Sequence, residues 1–132
     1  MLANSRLGPA AKGVQLRFDI PDDVEISGFM LKKKKNHGRF EDPYKTRVFC
    51  YIRNGKFYVR NYIVEKDILD PEVQEIIISD WQWDGEDKGK LSISRSGSGE
   101  ELIKLKVDNP DEWMNHVYMA LAKAHDSQED ER

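Results

Sequence analysis

The residues best placed to do chemistry in this chain are cations. Lys32, Lys33, Lys34, Lys35, Arg39, Lys45, Arg47, Arg53, Lys56 and Arg60 are opposed between positions 32 and 60 only by Glu41 and Asp42. That stretch carries +8, and because the whole chain is −3, the remainder carries −11. Positive charge gathered this way in an acidic chain makes a dipolar molecule whose basic end attracts anions. The chemistry open to it is ionic recognition rather than bond breaking. Arg47 can grip a phosphate with two parallel hydrogen bonds, whereas lysines act as point charges. The sequence has no Gly-rich phosphate loop before a helix, no His-Glu metal spacing and no nucleophile motif, and His37, His116 and His125 are scattered. We therefore expect no enzyme activity, no metal and no cofactor.

The elements that must position these cations read as a meander of three antiparallel strands. Apolar, β-prone runs at Gly28–Leu31 and Val48–Ile52 flank the lysine-loaded link, and a third run, Lys56–Val59, follows Asn54-Gly55. Asn-Gly between two such runs signals a type I′ hairpin, because both residues tolerate positive φ. The spacing predicts strands over about Ile26–Lys34, Tyr44–Ile52 and Lys56–Tyr62. The link Lys35–Pro43 holds the turn formers Asn36, Gly38 and Pro43, together with Phe40. Alternation places Lys45, Arg47, Phe49 and Tyr51 on one face of the second strand. That face is expected to look toward the interior of a sheet that must curl to cover its apolar side, so its charges must lie beyond the core layer, at an open end.

The remaining pattern is short strands and then a helix. Val64–Pro71 reads as a loop, Glu75–Ser79 as a strand, and Trp81-Gln82-Trp83 as its continuation or a short strand. Asp84–Lys88 reads as a turn. Leu91–Ser94 and Leu102–Val107 read as strands around the turn sequence Ser96–Gly99. Asn109-Pro110-Asp111-Glu112 is a helix start, with Asn as N-cap and Pro at the first helical position. Trp113, Val117, Leu121 and Ala124 then recur on one face, widened by Met114 and Ala120. Val14–Ile20 alternates apolar with polar and is expected to be an extended segment laid on an edge of the sheet, or else a partner surface.

Length sets one domain with one core. We divide the chain into an extension at 1–24, whose first dozen residues read as vector-derived and are left out of the fold, a domain at 25–125 and a charged tail at 126–132. No apolar run approaches a membrane span, and neither a signal peptide nor N-myristoylation is expected from Met1-Leu2 onward. The single Cys50 excludes an internal disulfide and, placed within a strand, is expected to be a buried small residue; a reducing, cytoplasmic compartment is the simplest setting.

The residues Gly28-Phe-Met-Leu-Lys32, Lys45-Thr-Arg47-Val-Phe49 and Phe57-Tyr58, followed by a closing helix that begins Glu112-Trp113, resemble a pleckstrin-homology (PH) domain. The resemblance spans about Glu25 to His125. It implies a mainly β fold, a seven-stranded antiparallel bent barrel or sandwich capped by a C-terminal helix. It also implies that Lys32, Lys45 and Arg47 grip the phosphates of an acidic phospholipid, with Tyr58 beside them. The expected partner is thus an anionic membrane, through a phosphoinositide or phosphatidic acid head group. Lys34, Arg39 and Arg60 join the head-group set, and Lys33, Lys35 and Phe40 are expected to touch the bilayer. Glu41 and Asp42 weaken that field. The reading requires Lys32, Lys45 and Arg47 to converge on one unplugged rim. The alternative is a protein-interaction module of the same fold without lipid binding, with Val14–Ile20 and the Trp81/Trp83 pair as contact surfaces. Nucleic acid is not an expected partner of so acidic a chain, and a monomer is expected.

Overall fold

In the computed structural model, which describes residues 18–36, 38–86, 89–95 and 97–130, eight antiparallel strands form one open sheet with a single long helix after it. The strands are β1 (Ile26–Lys33), β2 (Tyr44–Arg53), β3 (Lys56–Ile63), β4 (Ile68–Leu69), β5 (Gln74–Ile77), β6 (Gln82–Glu86), β7 (Lys90–Ser94) and β8 (Glu101–Lys106), and the helix is α1 (Pro110–Asp130). Their order is β4-β3-β2-β1-β8-β7-β6, with β5 also paired to β3. The first and last strands are therefore neighbours at the centre of the sheet. The architecture is the mainly β, helix-capped one expected, and it is consistent with a PH-like fold.

The local chemistry explains the meander. Asn54 and Gly55 have φ of 54° and 80°, the two positive values a type I′ turn needs, and β2 and β3 pair down to Arg53 and Lys56. One face of the sheet buries Ile26, Met30, Val48, Cys50, Ile52, Phe57, Val59, Leu91, Ile93, Ile103 and Leu105. Helix α1 closes that face with Trp113, Met114 and Val117, and the Trp113 ring meets Phe57 edge-on at 5.8 Å. At the helix start the Asn109 amide donates to the Glu112 carboxylate at 2.7 Å. Trp81 and Trp83 both pack against this core, and the Trp83 indole N–H donates to the Ile78 carbonyl at 3.0 Å.

The opposite face carries a second core. Phe18, Ile20 and Val24 are buried against Phe49, Tyr51 and Leu69. Arg53 forms an ion pair with Asp23, Asn54 N–H donates to Glu25, and Arg60 donates to the Phe18 carbonyl. Residues 18–24 are thus part of the folded unit, lying on a sheet face rather than along an edge. Phe18–Ile20 is not a strand; the rest of the alternating segment lies outside the described residues.

Three boundaries differ from the sequence reading. The expected loop Val64–Pro71 contains β4, because Asp67 at φ 55° turns Ile68 and Leu69 back onto Ile63 and Tyr62. The expected turn at Asp84–Lys88 is strand as far as Glu86. There Gly85 is a packing residue, since a Cβ would lie 2.7 Å from Met114 Cγ; Asp87 and Lys88 lie outside the described residues. The helix also runs on to Asp130, through most of the expected tail.

If the N-terminal segment is structural, Phe18→Ala should lower unfolding free energy by about 3 kcal/mol in urea titrations, as for other buried aromatic truncations. Phe40→Ala should stay within about 0.5 kcal/mol, because that side chain is 96% exposed.

Candidate anion-binding site

Alternation along β1 puts Ile26 and Met30 in the core under α1, and Lys32 follows them at the end of that row. Lys32 pairs with Thr46 on one side and with the fully buried Leu105 on the other. It therefore stands at the rim of the helix-facing side, half-buried. Beyond it the strand is irregular: the register slips between Lys32 and Lys33, so that Lys33 faces Tyr44.

Strands β1 and β8 pair only at Leu31 with Lys106 and at Lys32 with Leu105, and then separate. The gap is a cleft of about 300 Å³ lined by Lys32, Lys33, Lys34, Lys35 and Lys104, with Glu101, Leu102 and Ile103. Lys32 also borders a neighbouring hollow of about 270 Å³ with Val59, Asn61, Glu72, Val73 and Gln74. Five lysines against one carboxylate make the first of these a cationic recess.

The two acidic residues of the link shape it. The Glu41 carboxylate accepts from Lys34 Nζ at 2.7 Å and from Gly38 N–H at 3.0 Å. Asp42 accepts from Tyr44 N–H at 3.0 Å, and Lys34 N–H donates to the Pro43 carbonyl at 2.8 Å. The Lys34 hydrogen bond, then that of Gly38, holds the Glu41 pKa down at about 2, with Lys45 adding a smaller pull. So Glu41 and Asp42 do more than dilute the positive field; they brace the link that carries it. At its tip Phe40 is 96% exposed, with the Arg39 guanidinium 5.8 Å from its ring centre.

The structure does not bring the expected phosphate grip together. Arg47 shares the face of Phe49 and Tyr51, but that face is turned away from α1. The inward residues of β2 are instead Val48, Cys50 and Ile52. The aromatics look like interior residues in sequence because they are buried, yet what buries them is the segment at 18–24. Lys32 and Arg47 are consequently on opposite sides of the sheet. Arg47 lies over the rings of Phe29 and Tyr62, and Lys45 stands exposed beside the register slip. Tyr58 is also on the outer face, stacked on Tyr51 at 4.9 Å. Arg60 is tied into the framework, donating to the Asp70 carbonyl at 2.8 Å and to Phe18.

Of the expected set, Lys32, Lys33, Lys34 and Lys35 meet in one cleft, with Arg39 and Phe40 on the adjoining link. Sequence reasoning missed Lys104. It lies within the expected strand Leu102–Val107, but the adjacency of first and last strands is a property of topology. Cys50 is fully buried, and burial pushes its thiol pKa up, as suits a core residue. Among the described residues no cluster of His, Cys, Asp and Glu could hold a metal ion, and no helix is long and apolar enough to cross a membrane. No protein-family model matches the chain, and no curated protein matches it.

The Glu41 brace gives a pH prediction. Its folded pKa is depressed, so its contribution is present above the unfolded carboxyl value near 4.5 and is lost as pH falls toward about 2. Carboxyl NMR should show Glu41 titrating well below the ordinary carboxyl value near 4.5, and Lys34→Ala should return it toward that value.

Proposed function

We propose that this chain is a PH-like module that docks on anionic phospholipid membranes, with recruitment rather than catalysis as its role. The grip of Lys32, Lys45 and Arg47 that the sequence reading required is not assembled, so the lipid reading rests instead on the cleft lined by Lys32, Lys33, Lys34, Lys35 and Lys104, with the exposed Phe40 on the adjoining link. A lysine near an anionic leaflet contributes about 1 kcal/mol, falling off within a Debye length. An exposed aromatic ring at the tip of a basic link suits insertion at the head-group boundary. Inside the cleft the donors are ammonium groups, which rotate to meet phosphate oxygens but lack a planar fork. That fits a phosphomonoester held mainly by charge, on a phosphoinositide or on phosphatidic acid. Lys45, Arg47, Tyr58 and Arg60 are left out of this contact, because they lie on the outer face or serve the framework.

Vesicle sedimentation tests the reading. Phosphatidylcholine vesicles doped with a phosphoinositide or phosphatidic acid should bind the protein, and undoped vesicles should not. Lys32→Ala/Lys33→Ala/Lys35→Ala should weaken binding by about two orders of magnitude. Raising NaCl should weaken the wild type in parallel, and Phe40→Ala should weaken it without changing the salt slope. Absence of binding to every acidic vesicle at low salt would refute the lipid role and leave protein contact as the function.

A further inference from the structure

The outer face of the sheet holds a second cationic feature, separate from the lysine cleft. Leu31 is paired with Arg47 on one side and with Lys106 on the other, so the three form a row across β2, β1 and β8. With strands about 4.8 Å apart, the two cations stand about 10 Å apart with a leucine between them. Lys90 continues the row on β7, directly opposite Lys106, with its ammonium 5.3 Å from the Tyr44 ring centre and Glu86 beyond it in register. Like charges directly opposite one another destabilise a strand pair, and an incoming anion relieves that repulsion.

Arg47 lies against two aromatic rings. Its guanidinium carbon lies 5.3 Å from the Phe29 ring centre and 5.8 Å from that of Tyr62. Phe29 is itself 40% exposed, and its ring meets Phe49 at 5.1 Å and Tyr62 at 5.3 Å. Contact of this cation–π kind does not use up the guanidinium's N–H donors, which can still bond a carboxylate. Phe29, Leu31, Arg47, Lys106, Val107 and Asp108 border a hollow of about 260 Å³. Among the described residues neither Arg47 nor Lys106 has a carboxylate partner, and Asp108 pairs with neither.

We propose that this hollow binds an acidic segment of a protein partner. One carboxylate takes the Arg47 fork, a second meets Lys106, and an apolar side chain between them covers Leu31 and Phe29. An extended Glu-x-Leu-x-Glu segment lying across the strands has the required pattern, since alternate residues share a face and its ends span about 13 Å. The surface favours protein over lipid because an arginine over aromatic rings, beside the 40%-exposed Phe29, is the composition of interface hot spots. Asp108 at the border disfavours any anion beside it, so the two carboxylates are assigned to Arg47 and Lys106. The site does not depend on the lipid reading. Because it lies on the opposite side of β1 from Lys32, membrane and partner can be held together.

The test uses the full chain and a labelled peptide with Glu-Ser-Leu-Ser-Glu at its centre, set against the same peptide with glutamine for glutamate. The acidic peptide should raise fluorescence anisotropy and shift the NMR signals of Leu31, Arg47 and Lys106, and the glutamine peptide should do neither. Arg47→Ala should weaken the acidic peptide at least about tenfold, with its amide spectrum otherwise kept as the check on folding. Arg47→Lys should recover only part, because an ammonium has no fork. Lys106→Ala should weaken binding less, and Arg47→Ala should leave acidic-vesicle binding unchanged. Equal binding of the glutamine peptide, shifts confined to the lysine cleft, or no binding up to millimolar peptide would overturn the proposal.

Discussion

Strand β2 is apolar on both sides from Val48 to Ile52, and a strand of that kind has to be covered twice. Val48, Cys50 and Ile52 are covered by α1 and the curled sheet, and Phe49 and Tyr51 by Phe18, Ile20 and Val24. Every placement of charge follows from this double burial. Cations cannot enter either layer, so they collect where the strand alternation runs past the end of a core. Lys32 follows Met30 past the end of one layer, and Arg47 follows Phe49 past the end of the other. The separation of basic residues onto two sides is thus a packing result before it is a functional one.

Much of the fold was legible because its signals are local. The Asn54-Gly55 turn, the alternation in β1 through β3 and the Asn109-Pro110 helix start each act within a few residues. What was not legible depends on distance in the chain. Nothing near Phe49 says which partner buries it, so an outward aromatic passed for an inward one. The interior rim was in turn expected to hold Lys45 and Arg47. Gly85 was read as a turn former because the sequence does not display the approach of Met114. Lys104 was passed over because β8 neighbours β1 only after the sheet is assembled. The lysine run itself was legible, since four consecutive cations need no tertiary information to be seen.

The link between β1 and β2 shows how acidic residues can serve a basic site. Repulsion among Lys32, Lys33, Lys34 and Lys35 alone would favour an extended, ill-defined link. Glu41 joins a side chain of that run to the Gly38 backbone, and Asp42 fixes the return into Tyr44. Both pairs are exposed, so each contributes little to global stability. Their value lies in presenting Arg39 and Phe40 from a braced turn.

The ladder that joins β1 to β8 is two residue pairs long. It is also the only strand pairing, among the described residues, between the half of the sheet running from β1 to β5 and the half running from β6 to β8. So short a seam joins the two halves by little strand pairing, and the register between β1 and β8 ends at Lys32 and Leu105. A guest that wedges between the parted strands bears on both halves at once, so occupancy of the cleft and the opening angle of the whole sheet are mechanically coupled.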